Sequence, residues 1–168
     1  MKKFWNVQNE VLGLVLIAMF TAAIAVTTAY VSIPTGLGGY IHIGDGIIFM
    51  GVMLLGPAGA IAAGLGSALA DALGGYWIFV PATFVIKAAM GLIVGLFYRR
   101  KGGTFSYIMN IVLFIVAEMV MVVGYFGFEC IIWDFNAALA EVAANAIQAC
   151  AGIIIGAVSA PFVKKIKL

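Results

Sequence analysis

The 168-residue chain is 65% hydrophobic and only 10% charged, with a mean hydropathy of +1.18. Soluble domains carry about 45–50% apolar and about 25% charged residues, so a water-soluble enzyme is excluded. The net charge of +2 gathers at ends and turns, which excludes a nucleic-acid surface and leaves membrane topology as its role. Cys130 and Cys150 have no metal or redox spacing, and a disulfide framework is unsupported. The chain reads as an integral membrane protein.

A helix needs about 20 apolar residues to cross the hydrocarbon core, fewer where the bilayer thins around it. Residues 11–33 contain no charge and end at Pro34, giving span one. Gly56-Pro57 is the strongest breaker pair in the chain, and it separates a short span two (43–55) from span three (58–73). Gly74-Gly75-Tyr76-Trp77 makes an interfacial turn. Span four covers about 79–98 and is closed by Arg99-Arg100-Lys101, span five 105–126 and span six 138–163. The expected fold is an all-α membrane bundle of six transmembrane helices forming a single domain.

Lys2 and Lys3 precede span one, Arg99 to Lys101 lie between spans four and five, and Lys164, Lys165 and Lys167 follow span six. All three groups fall on one side, which the positive-inside rule makes cytoplasmic, together with both termini. The opposite loops carry His42, Glu129 and Asp134 and no Lys or Arg. Lys2-Lys3 followed by an apolar run resembles a secretory signal, but the run is about twice the usual length, so span one is expected to be retained.

No phosphate-cradling G-x-x-x-x-G-K-[ST] occurs, nor H-E-x-x-H, C-x-x-C or G-x-S-x-G. One histidine cannot build a His-rich metal site; no metal and no cofactor is implied. Uphill movement of a solute would draw its energy from a partner or an ion gradient. Ionisable groups inside a bilayer are costly and mark function by default. Lys87 breaks the topology pattern, about eight residues or roughly 12 Å into span four. Glu118 lies at a similar depth in span five, so the two read as an ion pair, as ligand contacts, or as both. Glu141, Asn145 and Gln148 share one face of span six, as interhelical glue or as a ligand wall.

Tyr40, Tyr76, Trp77, Phe79, Tyr125, Phe128 and Trp133 ring the same half. They suit an interfacial belt, and Tyr40, Tyr125 or Trp133 could stack on a flat heteroaromatic ligand. His42 and Asp45 bracket the start of span two as helix caps or site residues, and Asp71 reads as structural. The glycines of Thr35 to Tyr40 suit a mobile lid or an ordinary turn. Ala18, Ala22, Ala25 and Ala29 form a small-residue stripe on span one, for internal packing or for docking another membrane subunit. Gly91 with Gly95 and Gly152 with Gly156 read as internal contacts.

Taken together, Ile41-His42-Ile43-Gly44-Asp45-Gly46, Leu54-Leu55-Gly56-Pro57, Gly66-Ser67-Ala68-Leu69-Ala70-Asp71 and Pro81 to Lys87 through Gly91 resemble the substrate-binding S components of energy-coupling factor vitamin transporters. The likeness is to the riboflavin-transporter-related branch, which includes hydroxymethylpyrimidine and vitamin B6 proteins. Ala18-Met19-Phe20-Thr21-Ala22 matches that family's A-x-x-x-A motif for contacting the coupling subunit. The resemblance implies a multi-pass protein of a prokaryotic cell membrane with a vitamin site near the outer face, walled by helices four to six and the outer loops. Its implied partners are a small-molecule vitamin, a transmembrane coupling subunit, two cytoplasmic ATPases and the lipid bilayer. Lys87, Glu118, Tyr125, Trp133, Glu141, Asn145, Gln148, Tyr40 and His42 are the expected substrate contacts, and Ala18, Ala22 and Ala25 the expected partner contacts.

A riboflavin-specific S component and a self-contained oligomeric carrier or channel are the alternatives. The apolar inner halves of the spans disfavour a continuous polar path. A membrane enzyme would have only Lys87 with Glu118 or Glu141 to offer.

Overall fold

The computed structural model describes residues 10–36, 38–100 and 106–166, without the side chains of 99 and 100. Lys2, Lys3, Lys101 and Lys167 of the topology argument, and Leu37 of the glycine loop, lie outside the described residues. The order is α1 (Glu10–Tyr30), β1 (Ser32–Pro34), β2 (Tyr40–His42), α2 (Gly44–Leu55), a 3₁₀ turn (Gly56–Ala58), α3 (Gly59–Gly74), α4 (Val80–Arg100), α5 (Tyr107–Ile132) and α6 (Phe135–Val163). At one end of the bundle α1, α3 and α5 finish while α2, α4 and α6 begin. The site is at that end.

Five helical stretches are long and apolar enough to cross a bilayer, with Gly44–Gly74 counted as one. That stretch is not a single rod. Gly56 takes φ +64°, a conformation open to glycine at little cost, and Pro57 cannot continue the ladder of α2. The chain doubles back so tightly that a Cβ on Gly59 would lie 2.8 Å from the Cα of Val52. The expected spans two and three are thus the two short arms of a helical hairpin, about 18 Å and 24 Å long at 1.5 Å per residue. The hairpin is central: 78% of its apolar window is buried, against 22% for α1.

Small residues set the close contacts. A Cβ on Gly91 would meet Ala60 at 3.0 Å, and one on Gly95 would meet the Gly56 carbonyl oxygen at 2.6 Å, so α4 lies directly on the hairpin. On α6, Gly156 faces Phe49 and Phe114, and Gly152 faces Asp45 and Glu118. Both glycine pairs are internal, as their spacing predicts.

Two boundaries differ from expectation. Helix α5 continues past Phe126 to Ile132, because nothing from Gly127 to Ile132 interrupts the backbone ladder. It stops only where Asp134 caps α6, accepting hydrogen bonds from the N–H groups of Asn136 (2.8 Å) and Ala137 (3.0 Å). The segment between α1 and α2, expected as the last residues of span one followed by a loop, is an antiparallel pair in which Ser32, Ile33 and Pro34 face His42, Ile41 and Tyr40.

One buried ion pair joins three helices. Lys87 of α4 meets Asp45 of α2 at 2.6 Å, and both side chains are fully buried. The second oxygen of Asp45 accepts from the Gln148 amide of α6 at 2.8 Å, and the Gln148 carbonyl accepts the His42 N–H at 3.3 Å. This corrects the expected Lys87–Glu118 pair. Glu118 sits within electrostatic reach of both Lys87 and Asp45, but its oxygens have no hydrogen-bond partner among the described residues. It also corrects the capping role of Asp45: the start of α2 is held instead by His42, whose Nδ1 accepts from the Gly44 N–H at 3.1 Å.

Removing one member of a buried pair strands the other charge, at about 3–5 kcal/mol, whereas replacing both by apolar groups is often close to neutral. Lys87→Met should therefore lower the unfolding midpoint in detergent sharply. Lys87→Met combined with Asp45→Leu should recover much of the loss. A double variant no more stable than the single one would show that the pair is not an isolated electrostatic unit.

Candidate ligand-binding site

Between the ends of the helices and the β1–β2 pair lies a cavity of about 450 Å³ counting its open mouth. Its wall draws on every helix except α2. Thr28 comes from α1, Ser67 and Asp71 from α3, Thr83 from α4, Tyr125 and Glu129 from α5, and Glu141, Asn145 and Gln148 from α6. Helical spacing explains the sets: Ser67 and Asp71, Tyr125 and Glu129, and Glu141 and Asn145 are each four residues apart, on one face. Tyr40 and His42 enter from β2, and Tyr76 and Phe79 from the turn before α4.

Two side-chain hydrogen bonds cross the mouth. The Tyr40 hydroxyl donates to Asp71 at 2.5 Å and the Thr35 hydroxyl to Glu141 at 2.6 Å. The Tyr40 and Tyr76 rings meet at 4.7 Å between centroids. Deeper in, the Tyr125 hydroxyl donates to Thr83 at 2.9 Å. Burial and the neighbouring Asp71 push the Tyr40 phenol above its ordinary range, so it stays a donor. Burial lowers His42 to about 4, against a pull upward from Asp45, so its imidazole is neutral at neutral pH.

Several polar atoms on the wall have no hydrogen-bond partner among the described residues: the Thr28 and Ser67 hydroxyls, Oδ2 of Asp71, Oε2 of Glu129 and Nδ2 of Asn145. Buried polar groups are normally paired. So many unused donors and acceptors around one cavity make a surface able to hydrogen-bond a polar molecule.

Of the residues expected to contact substrate, Tyr40, His42, Tyr125, Glu141, Asn145 and Gln148 line this cavity. Lys87, Glu118 and Trp133 are not on its wall. Lys87 lies behind Gln148, held by Asp45, and its ammonium is 5.6 Å from the Tyr125 ring centre. Glu118 faces α6 at Gly152. Trp133 packs edge-on against Phe79 at 5.6 Å, and a Cβ on Gly38 would meet it at 2.8 Å, so it braces the loop rather than lining the cavity.

Sequence reasoning missed Thr28, Ser67 and Thr83 and read Asp71 as structural and Glu129 as a loop residue. Glu129 was displaced because span five was ended too early. The Ser67–Asp71 spacing was a usable signal. On α1, Ala18 and Ala22 are exposed, whereas Ala25 is buried and cannot present a surface to a partner without moving.

The family model described as "ECF-type riboflavin transporter, S component" matches residues 8–167. The chain is also 39% identical over 136 residues, covering 80% of its length and 89% of the relative, to a Pyrococcus woesei protein described as "Uncharacterized protein in gap 3'region". With helices suited to crossing a membrane and nearly its whole length matched, the chain belongs to the ECF-type riboflavin transporter S component family.

Proposed function

We propose that this chain captures a small heterocyclic vitamin or vitamin precursor from outside a prokaryotic cell and delivers it inward with a transmembrane coupling subunit and two cytoplasmic ATPases. The observation that carries the reading is the cavity, with its unused hydrogen-bonding atoms at one end of a membrane-suited bundle. That end is opposite Lys164 and Lys165, at the far end of α6, which the positive-inside rule assigns to the cytoplasm. Six crossings fit if the short arms α2 and α3 sit in a locally thinned bilayer. Pyridoxine or hydroxymethylpyrimidine is favoured over riboflavin. Pockets for drug-sized ligands run to roughly 300–1,000 Å³, and this one holds about 450 Å³ even with its open mouth counted, so a single ring enters with less displacement than a fused tricycle. The direct experiment is to purify the chain from a native-like host and identify any co-purifying molecule by mass.

Asn145 is the polar residue best placed to face that ligand, because its amide offers both a donor and an acceptor and its Nδ2 has no partner. Losing a buried hydrogen bond costs about 1–3 kcal/mol, so Asn145→Ala should weaken binding roughly ten- to a hundredfold. The unfolding midpoint without ligand should hardly change. Calorimetric titration against the parent checks this, and unchanged affinity would move the ligand away from α6.

The coupling subunit is proposed to dock on the exposed face of α1 around Ala18 and Ala22. Either residue replaced by Phe should abolish uptake and co-purification with the coupling subunit while leaving ligand affinity of the isolated chain intact. A loss of ligand binding in that variant would count the stripe as internal packing.

A further inference from the structure

The charge of the cavity wall narrows the ligand class beyond its size. Asp71, Glu129 and Glu141, from three different helices, all line the cavity. Glu129 and Glu141 are close enough to act on each other electrostatically. No Lys or Arg stands among the described lining residues. The nearest ammonium, Lys87, is bound to Asp45 behind the floor, and His42 is neutral because burial holds it near 4.

The carboxylates are also incompletely used. Asp71 and Glu129 are each 3% exposed; Thr83 lies near Asp71 and Asn145 near Glu129, yet Oδ2 of Asp71 and Oε2 of Glu129 have no well-formed hydrogen bond among the described residues. Buried carboxylates lack their hydration, and Glu129 and Glu141 also repel one another. A ligand that brings N–H donors with positive charge relieves both penalties at once, through short charge-assisted hydrogen bonds. The tyrosine rings on the same wall offer π faces that favour a cation. A phosphate or carboxylate on the ligand would meet like charge and be rejected.

A metal ion does not fit as well. Among the described residues no three His, Cys, Asp or Glu groups converge closely enough to hold one.

Resting on the vitamin-capture reading, we propose that this site selects heterocycles carrying an amino group, as a protonated amine or as an amidine-like edge of ring nitrogen and exocyclic amine, and that Asp71 and Glu129 recognise that group. Phosphorylated and carboxylated forms of the same rings are excluded.

The test uses the full chain purified in detergent and two matched pairs of probes, titrated calorimetrically. One pair is pyridoxamine and pyridoxine; the other is 4-amino-5-hydroxymethyl-2-methylpyrimidine and its 4-oxo counterpart. Riboflavin is a fifth, neutral probe. The amino member of at least one pair should bind about tenfold tighter or more than its neutral partner, the scale of one charge-assisted hydrogen bond. Glu129→Gln and Asp71→Asn should pull that ratio towards one, weakening the amino member more than its neutral partner, which a purely structural role would not do. The ratio in the parent chain decides the matter even if a variant folds poorly. Neutral members binding as tightly as amino ones, or riboflavin alone binding tightly, would overturn the amino selectivity and leave vitamin capture standing. No binding by any of the five at about 1 mM, a barely measurable affinity, would overturn both.

Discussion

The contact between Lys87 and Asp45 is the constraint around which the rest of the bundle is arranged. An ammonium and a carboxylate without water need each other and further polar contacts: Lys87 also lies 5.6 Å from the Tyr125 ring centre, and Asp45 gains a second donor. Gln148 takes the second Asp45 oxygen, and the His42 backbone fixes the other end of that amide. Helices α2, α4 and α6 are thereby tied at one level, and the β1–β2 pair is anchored to them through His42. The apolar packing around this knot is non-directional and would allow sliding. The hydrogen-bonded group permits only one register. Above it the wall turns polar; below it, around Phe49, Met90 and Phe114, the core is apolar.

The hairpin of α2 and α3 complements that knot. The glycines of α2 and the small residues of α3 let α1 and α4 approach closely, while α2 buries the bulky Ile48, Phe49, Val52 and Leu55 between them. Peripheral α1 exposes large apolar groups such as Val11, Leu14 and Met19, a surface suited to lipid or to another membrane helix and unsuited to water.

Much of this was legible in the chain. Hydropathy and breakers placed the helices to within a few residues, and the depth of Lys87 and the shared face of Glu141, Asn145 and Gln148 marked the correct end of the bundle. What could not be read was partner choice. Asp45 and Glu118 are both acidic residues available to Lys87, and deciding between them needs the rotation of each helix about its axis, which near-uniform apolar sequences do not encode. The end of α5 was misjudged because Gly127 offered a plausible stop. The partial burial of the alanine stripe was hidden for a similar reason: α1 has no polar face to show which side turns inward, so Ala25 and Thr28 look like their exposed neighbours.

The two hydrogen bonds across the mouth have a kinetic side. The Tyr40 and Thr35 hydroxyls occupy one oxygen each of Asp71 and Glu141, two of the carboxylates facing the cavity. An arriving donor can displace a hydroxyl rather than approach a bare charge, and a departing donor can be replaced by the same hydroxyl as it leaves. Each exchange trades one hydrogen bond for another, so neither direction must pass through a state with an abandoned carboxylate. Such an exchange would lower the barrier to entry and to exit alike, at the cost of the affinity that an unoccupied carboxylate oxygen would have supplied.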